Sequence, residues 1–227
     1  MVYVLRPSYN AKQSASLDLT DESEAQMAAE SLKYETEVLG HAVKRSFLPY
    51  TMGFKRPSPT TPLVFKCPIE ASKFHNFMYS GAGILISQDI VELIEEMEPG
   101  VHQYFSVEFI MKSGPQPEQD YYILNVCTQL KSLDFEKGQV GKSPIKEDMR
   151  WYFQGKEYET HYLSNTPKFE PPYDLYVKKA VFEGHVLWHE HGVQAKTSIY
   201  VTDEFYSRAL ALGDLGSLDV AHYAGEV

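Results

Sequence analysis

The chain has 227 residues, with 31 acidic against 21 basic side chains for a formal charge of −10, and two cysteines. At this length folding buries roughly 70–75% of the surface an extended chain exposes, so a core needs no disulfide or metal staple. With 43% hydrophobic and 13% aromatic residues against 14 glycines and 13 prolines, collagen, wholesale disorder and a disulfide scaffold are excluded.

Val2 to Leu5 in VYVLRP predicts a short strand that Pro7 ends, and a polar loop runs to about Leu19. Thr20 or Asp21 supplies an N-cap, with Glu24 placed as in a capping box, for a helix through Ala25, Ala28, Ala29 and Leu32 that stops by Gly40. The segment KRPSPTTP, Lys55 to Pro62, holds three prolines, which neither a regular helix nor a central strand tolerates. It divides the chain into residues 1–60, an N-terminal strand and helix appendage packed on the main body, and residues 61–227, an α+β domain.

A pattern then occurs twice. Ile84 to Ile86 meets Ser87, and QDIVELIEEMEPG places Ile90, Leu93, Ile94 and Met97 at helical spacing before Pro99 and Gly100; the strand HQYFSVEFIM follows. Ile199 to Val201 meets Thr202, and DEFYSRALALGDLG places Phe205, Ala209 and Leu212 at helical spacing before Gly213 and Gly216, with extended structure resuming at Leu218 to Tyr223. Each unit reads as strand, hydroxyl N-cap, about three helical turns, glycine stop and strand. The two similar strand-helix-strand units suggest an internal duplication.

Between them, Phe105, Val107, Phe109 and Met111 alternate on one strand, and KSGPQPEQD joins it to a second strand at Tyr121 to Cys127. Residues 135–175 are polar, aromatic and broken by prolines. Leu175 to Trp188 and Gln194 to Val201 read as two further strands around a turn at Glu190 to Val193. The expected fold class is α+β: mainly antiparallel sheets with a few short amphipathic helices, without regular βαβ alternation.

Chemical motifs are sparse. GHVLWHEHG sets His185, His189 and His191 around Glu190; as a strand it places His185 roughly 13 Å from His189, so only His189 and His191 are close enough to share an ion, and no third ligand is evident. No HExxH, phosphate-binding glycine loop or GxSxG elbow occurs. Glu95 and Glu96 lie off the apolar stripe of their helix and face solvent as ordinary carboxylates. Cys67 and Cys127 sit in apolar surroundings and read as small buried hydrophobes. No catalytic residue, cofactor or metal is assigned. A metal-dependent hydrolase using His189, Glu190 and His191 remains the alternative function.

Charge and aromatic content favour binding. Residues 1–60 carry seven acidic and seven basic side chains, so the rest carries the whole −10. Such a field repels phosphate backbones, which argues against a nucleic-acid partner, and attracts a basic protein. Trp151, Tyr152, Tyr158 and Tyr162 interleave with Glu157 and Glu159, the mixture of rigid rings and steering charge found at protein interfaces. Glu92, Glu95 and Glu96 form a second candidate patch. No apolar stretch approaches the roughly 20 residues of a membrane span, and the N-terminus is unlike a signal peptide, so a cytoplasmic location without a membrane partner is expected.

The succession VYVLRP, ILISQDIVELIEEMEPGVHQYFSVEFI, YYILNVCTQLKSLD and IYVTDEFYSRALALGDLGSLDV resembles a bacterial immunity-protein family of polymorphic toxin systems, immunity protein family eleven, with matching blocks between about residues 60 and 223. The resemblance implies a protein that binds a cognate secreted toxin and neutralises it by direct stoichiometric contact, with no turnover. It carries no catalytic residues. The motif residues Tyr122, Leu124, Asn125, Val126 and Asp134 read as fold-maintaining: Leu124 and Val126 as strand core, Asn125 and Asp134 as turn or backbone hydrogen-bonders. Neither the toxin's chemistry nor the oligomeric state follows from the sequence.

Overall fold

The computed structural model describes residues 1–7, 17–34, 55, 58–68, 74–134, 137, 151–153, 156–158, 175–190, 198–213, 215–216 and 218–227. The chain opens with β1 (Val2–Pro7), β2 (Asp18–Leu19) and helix α1 (Asp21–Tyr34). Strand β3 (Leu63–Cys67), the hairpin β4 (Phe77–Ser80) and β5 (Gly83–Ser87), helix α2 (Gln88–Met97), β6 (Gln103–Met111) and β7 (Tyr121–Asn125) follow. Then come β8 (Gln129–Leu130), the hairpin β9 (Trp151–Phe153) and β10 (Lys156–Tyr158), β11 (Leu175–Val177), the one-turn helix α3 (Lys179–Phe182), β12 (Leu187–Glu190), β13 (Ile199–Thr202), helix α4 (Asp203–Leu212) and β14 (Leu218–Glu226).

Twelve of these strands form two mixed six-stranded sheets, in the orders β2-β3-β6-β7-β5-β4 and β11-β14-β1-β13-β12-β8. Together with the four short helices they make an α+β fold. β3–β6, β11–β14 and β12–β8 are parallel pairs, and the other pairs are antiparallel. Strand β1 lies inside the second sheet, between β13 and β14.

β5, GILIS, has a core on each face, Ile84 and Ile86 in one and Leu85 in the other, which is why it is buried at every position, whereas β6 leaves Ser106, Glu108 and Ile110 exposed on one face. One core lies where the two halves meet. It joins Ile86, Ile90, Ile94 and Leu124 of the first half to Leu5, Leu187, Val201, Phe205 and Ala209 of the second. A second core, with Phe65, Leu85, Phe105 and Ile123, lies behind the first sheet and is partly covered by Met27 of α1; a third, with Val4, Trp188 and Tyr200, lies behind the second sheet. Each large aliphatic side chain so buried contributes about 1.5–3 kcal/mol.

Helix α1 begins where the hydroxyl pattern places it: Thr20 Oγ1 accepts from Ser23 N at 3.3 Å, and Ser23 Oγ accepts from Val64 N at 2.9 Å, which ties the helix start to β3. Of the two other predicted hydroxyl caps, Thr202 caps α4 by accepting from Phe205 N, whereas Ser87 gives its hydroxyl to Asn76 Oδ1 at 2.8 Å and makes no cap bond. The expected strand from Leu175 to Trp188 is two strands instead. β11 and β12 lie on opposite sides of their sheet, so the chain crosses between them through α3 and turns at Gly184, which has φ +86°.

The two strand-helix-strand units extend into a correspondence between the halves. β3, β6, β7, β5 and β4 stand in the same order and the same relative directions as β11, β14, β1, β13 and β12. Phe77 pairs with Ile86 as Leu187 pairs with Val201, and Ile86 pairs with Tyr122 as Val201 pairs with Tyr3. Backbone bonds repeat too: Ser87 N to Asn76 O at 3.1 Å matches Thr202 N to Val186 O at 3.0 Å, and Gln88 N to Asp120 O at 3.0 Å matches Asp203 N to Met1 O at 3.1 Å.

Candidate functional site

The most concentrated polar cluster lies at the C-terminal end of α2, where the halves meet. Pro99 cannot continue the helix, and Glu98 becomes its C-cap, with its N–H bonded to Ile94 O at 2.7 Å. A carboxylate at a helix C-terminus faces the negative end of the macrodipole and needs donors from elsewhere. The other half supplies them: Glu98 Oε1 accepts from His185 Nδ1 at 2.7 Å, and Oε2 accepts from Val186 N at 3.0 Å and Leu187 N at 3.5 Å. His102 Nε2, in the loop after α2, adds a bond to Oε2 at 3.2 Å.

Hydrogen-bond logic fixes the protons. Cys127 N donates to His102 Nδ1 at 3.2 Å, so that nitrogen serves as an acceptor and the ring donates through Nε2. Burial alone would raise the Glu98 carboxyl, but the bonds from His102, His185 and Val186 N–H outweigh it and hold the group at about 2. Burial also pushes the Tyr104 hydroxyl above its ordinary value, reinforced by the Glu95 and Glu98 carboxylates.

Cys127, His102 and Glu98 follow one another as a nucleophile, base and orienting acid would, but the bonding forbids that chemistry. The His102 lone pair is occupied by the Cys127 backbone N–H and cannot take the thiol proton. Burial pushes the thiol up to about 11 against the lowering influence of Lys55, and Sγ lies 3.4 Å from Asn125 O, so the group stays a thiol at neutral pH. A metal at His102 Nε2 would require the proton on Nδ1, opposite the Cys127 donor. The cluster is a junction that locks the α2 loop onto the start of β12.

The histidine motif of the sequence does not converge. His185 belongs to the Glu98 junction. His189, on β12, donates from Nδ1 to Ser198 O at 2.9 Å, and burial lowers it to about 4, so it is neutral at physiological pH. Glu190, its neighbour on the strand, is buried and accepts from Ser132 Oγ at 2.6 Å, Ser132 N at 3.1 Å and Leu133 N at 3.0 Å; burial raises its carboxyl despite these bonds. Trp188 Nε1 donates to the same serine hydroxyl. His191 lies outside the described residues. Among the described residues no group of three or more His, Cys, Asp or Glu side chains is arranged to hold a metal ion.

The predicted contact residues fall in two places. Trp151 and Tyr152 lie on β9 and Glu157 and Tyr158 on β10, with Trp151 opposite Tyr158 and Tyr152 opposite Glu157 in register. Glu159 and Tyr162 lie outside the described residues. On α2, exposed Glu92 accepts from Gln88 Nε2 at 2.9 Å, half-buried Glu95 accepts from Gly100 N at 2.8 Å, and exposed Glu96 pairs with Arg208 of α4. Helices α2 and α4 together carry Asp89, Glu92, Glu95, Glu96, Asp203 and Glu204 against the single basic residue Arg208.

Of the motif residues, Leu124 and Val126 are buried in the core between the halves, and Tyr122 is half-buried against it. Asn125 Nδ2 donates to Gln103 Oε1 at 3.0 Å, and Asp134 Oδ1 accepts from Lys137 N at 3.2 Å while its own N–H reaches Tyr176 O at 2.8 Å.

No described helix is long and apolar enough to cross a membrane. Residues 5–169, well over half of the chain, match the model of a family described as Immunity protein family (Imm11). The matched stretch takes in α1 and residues 35–62, which the sequence comparison above left outside its blocks, and ends before β11. No curated protein matches the chain.

Proposed function

The chain belongs to the immunity protein family Imm11, and from that membership we propose that it binds one cognate bacterial toxin and holds it inert by direct stoichiometric contact in the cytoplasm of the producing cell. Family membership carries this reading. The chemistry of the polar clusters supports an absence of turnover: the Cys127 thiol has no base, and both Glu190 oxygens are committed to Ser132 and Leu133. These same bonds leave the metal-dependent hydrolase without a free carboxylate at Glu190.

The contact surface we propose comprises the exposed carboxylates of α2, Glu92 and Glu96 with Glu95 beside them, and the residues Trp151, Tyr152, Glu157, Tyr158, Glu159 and Tyr162. Acids that outnumber the single neighbouring base, Arg208, favour a basic face on the toxin and a fast, salt-sensitive encounter.

Co-expression with the toxin encoded beside the gene is the test. Restored growth and a one-to-one complex in size-exclusion chromatography are expected; growth arrest undiminished by the chain, with no complex, refutes the proposal. Glu92→Lys with Glu96→Lys should slow association at low salt while leaving the fold intact.

A further inference from the structure

We infer that β1 is the displaced last strand of a second structural repeat and acts as a latch: the second half of the protein closes only when the chain's own N-terminal strand docks between β13 and β14. This inference is independent of toxin binding.

In the first half the chain runs β3, β4, β5, α2, β6, β7, and β7 sits between β5 and β6. The second half runs β11, β12, β13, α4, β14, and the corresponding place between β13 and β14 is filled by β1, from the start of the numbering. The occupant is the right one in detail. Tyr122-Ile123-Leu124 of β7 corresponds to Tyr3-Val4-Leu5 of β1: Tyr122 and Tyr3 face Ile86 and Val201, and Leu124 and Leu5 are both buried in the core between the halves. Asp120 O and Met1 O, each two residues before the tyrosine, accept from the first residue of α2 and of α4. Tyr3 also stacks on Tyr206 of α4 with ring centroids 4.0 Å apart and donates to Asp203 Oδ1 at 3.0 Å.

β14 and β1 are paired as the two arms of a hairpin are: Val2 is opposite Ala224, and the Met1 amine pairs with Glu226. The cost of the displacement is in closure. Ser106 and Tyr122, paired in the first half, are 16 residues apart, whereas Val2 and Ala224 are 222 apart. With closure entropy growing as three-halves of the logarithm of loop length, the second contact is about 50-fold less probable in an unfolded chain. The first half can therefore form from local contacts, while the second waits for two strands more than 200 residues apart.

Two measurements on the full chain test this. In pulse-labelled hydrogen exchange during refolding, amides of β5, β6 and β7 should gain protection at least about tenfold earlier than those of β1, β13 and β14. Simultaneous or earlier protection of β1 and β14 overturns the inference, whatever the second experiment gives. The second is a circular permutant in which Val227 is joined to Met1 by a short Gly-Ser linker and new ends are opened within residues 8–16. It should fold with the native near-ultraviolet spectrum and lose the delay. A permutant that folds and keeps the delay overturns the latch; if the permutant does not fold, the order of protection in the natural chain decides.

Discussion

Replacing Glu98 by glutamine tests the junction between the halves, because the change keeps the shape and removes the charge. The carboxyl sits at about 2 in the folded protein against 4.5 for the free group, a difference of 2.5 units at a side chain only 4% exposed. At 1.36 kcal/mol per unit this is worth about 3 kcal/mol at neutral pH. The folded value is depressed, so the contribution is complete above pH 4.5 and is lost as pH falls toward 2; at pH 3 about half remains. The amide oxygen of glutamine can still take the bonds at Oε2, and His185, whose side chain is 35% exposed, can shift its proton to Nε2 and accept from the amide. The loss is therefore mainly the charge-assisted part of the bonding, and Glu98→Gln should cost about 2–3 kcal/mol at pH 7, a fall in Tm of roughly 5–10 °C for a chain of this size. Urea unfolding of both proteins at pH 7 and pH 3 measures it. A cost below about 0.5 kcal/mol at pH 7, or a gap between the two proteins that fails to narrow at pH 3, refutes the reasoning.

Gly216 has φ +57°, and a Cβ there would run into the Phe77 carbonyl oxygen and His75, so Gly216→Ala should destabilise by about 3 kcal/mol or more. Gly100, at φ +67° with open space around it, should lose only about 1 kcal/mol on the same change, and thermal unfolding of the pair separates backbone strain from collision. His189, lowered from 6.5 to about 4, binds a proton in the unfolded chain before the folded one, so stability should fall by up to about 3 kcal/mol between pH 6.5 and 4; His189→Asn should flatten that limb, and an unchanged slope would assign it elsewhere. If exposed carboxylates steer the toxin, its association rate should drop steeply from low to physiological salt in stopped-flow mixing, and a flat dependence removes charge from the account.

The β5–α2–β6 and β13–α4–β14 units were legible because a 3.6-residue apolar stripe between extended runs has one structural meaning, and the same periodicity disclosed their likeness. What stayed hidden depended on contacts between residues far apart in the chain. Nothing near VYVLRP says that its neighbours are residues 199–202 and 218–226. The stretch from Leu175 to Trp188 has the apolar content of one long strand, and only the position of β11 and β12 on opposite sides of a sheet forces the helical turn between them. Glu190 looked like a hairpin tip between two histidines, yet it is buried under Ser132, 58 residues away. Glu98 reads in the sequence as one more acid in EEMEPG. A signal was present: an acid beside the last helical carbonyls, with no basic residue in that turn, is unfavourable unless something distant repays it.

Each half is held by the other at a matching place. The loop after α2 grips residues 185–187 through Glu98, and the loop after α4 grips residues 75–77, where Asn76 Nδ2 bonds Leu212 O and Gly216 lies against Phe77. In the folded protein the two hooks close from opposite sides: the end of each helix is fixed by the half that it does not belong to. The two clasp points bring together residues from distant parts of the chain, so substitutions at Glu98 or Gly216 act on both halves at once.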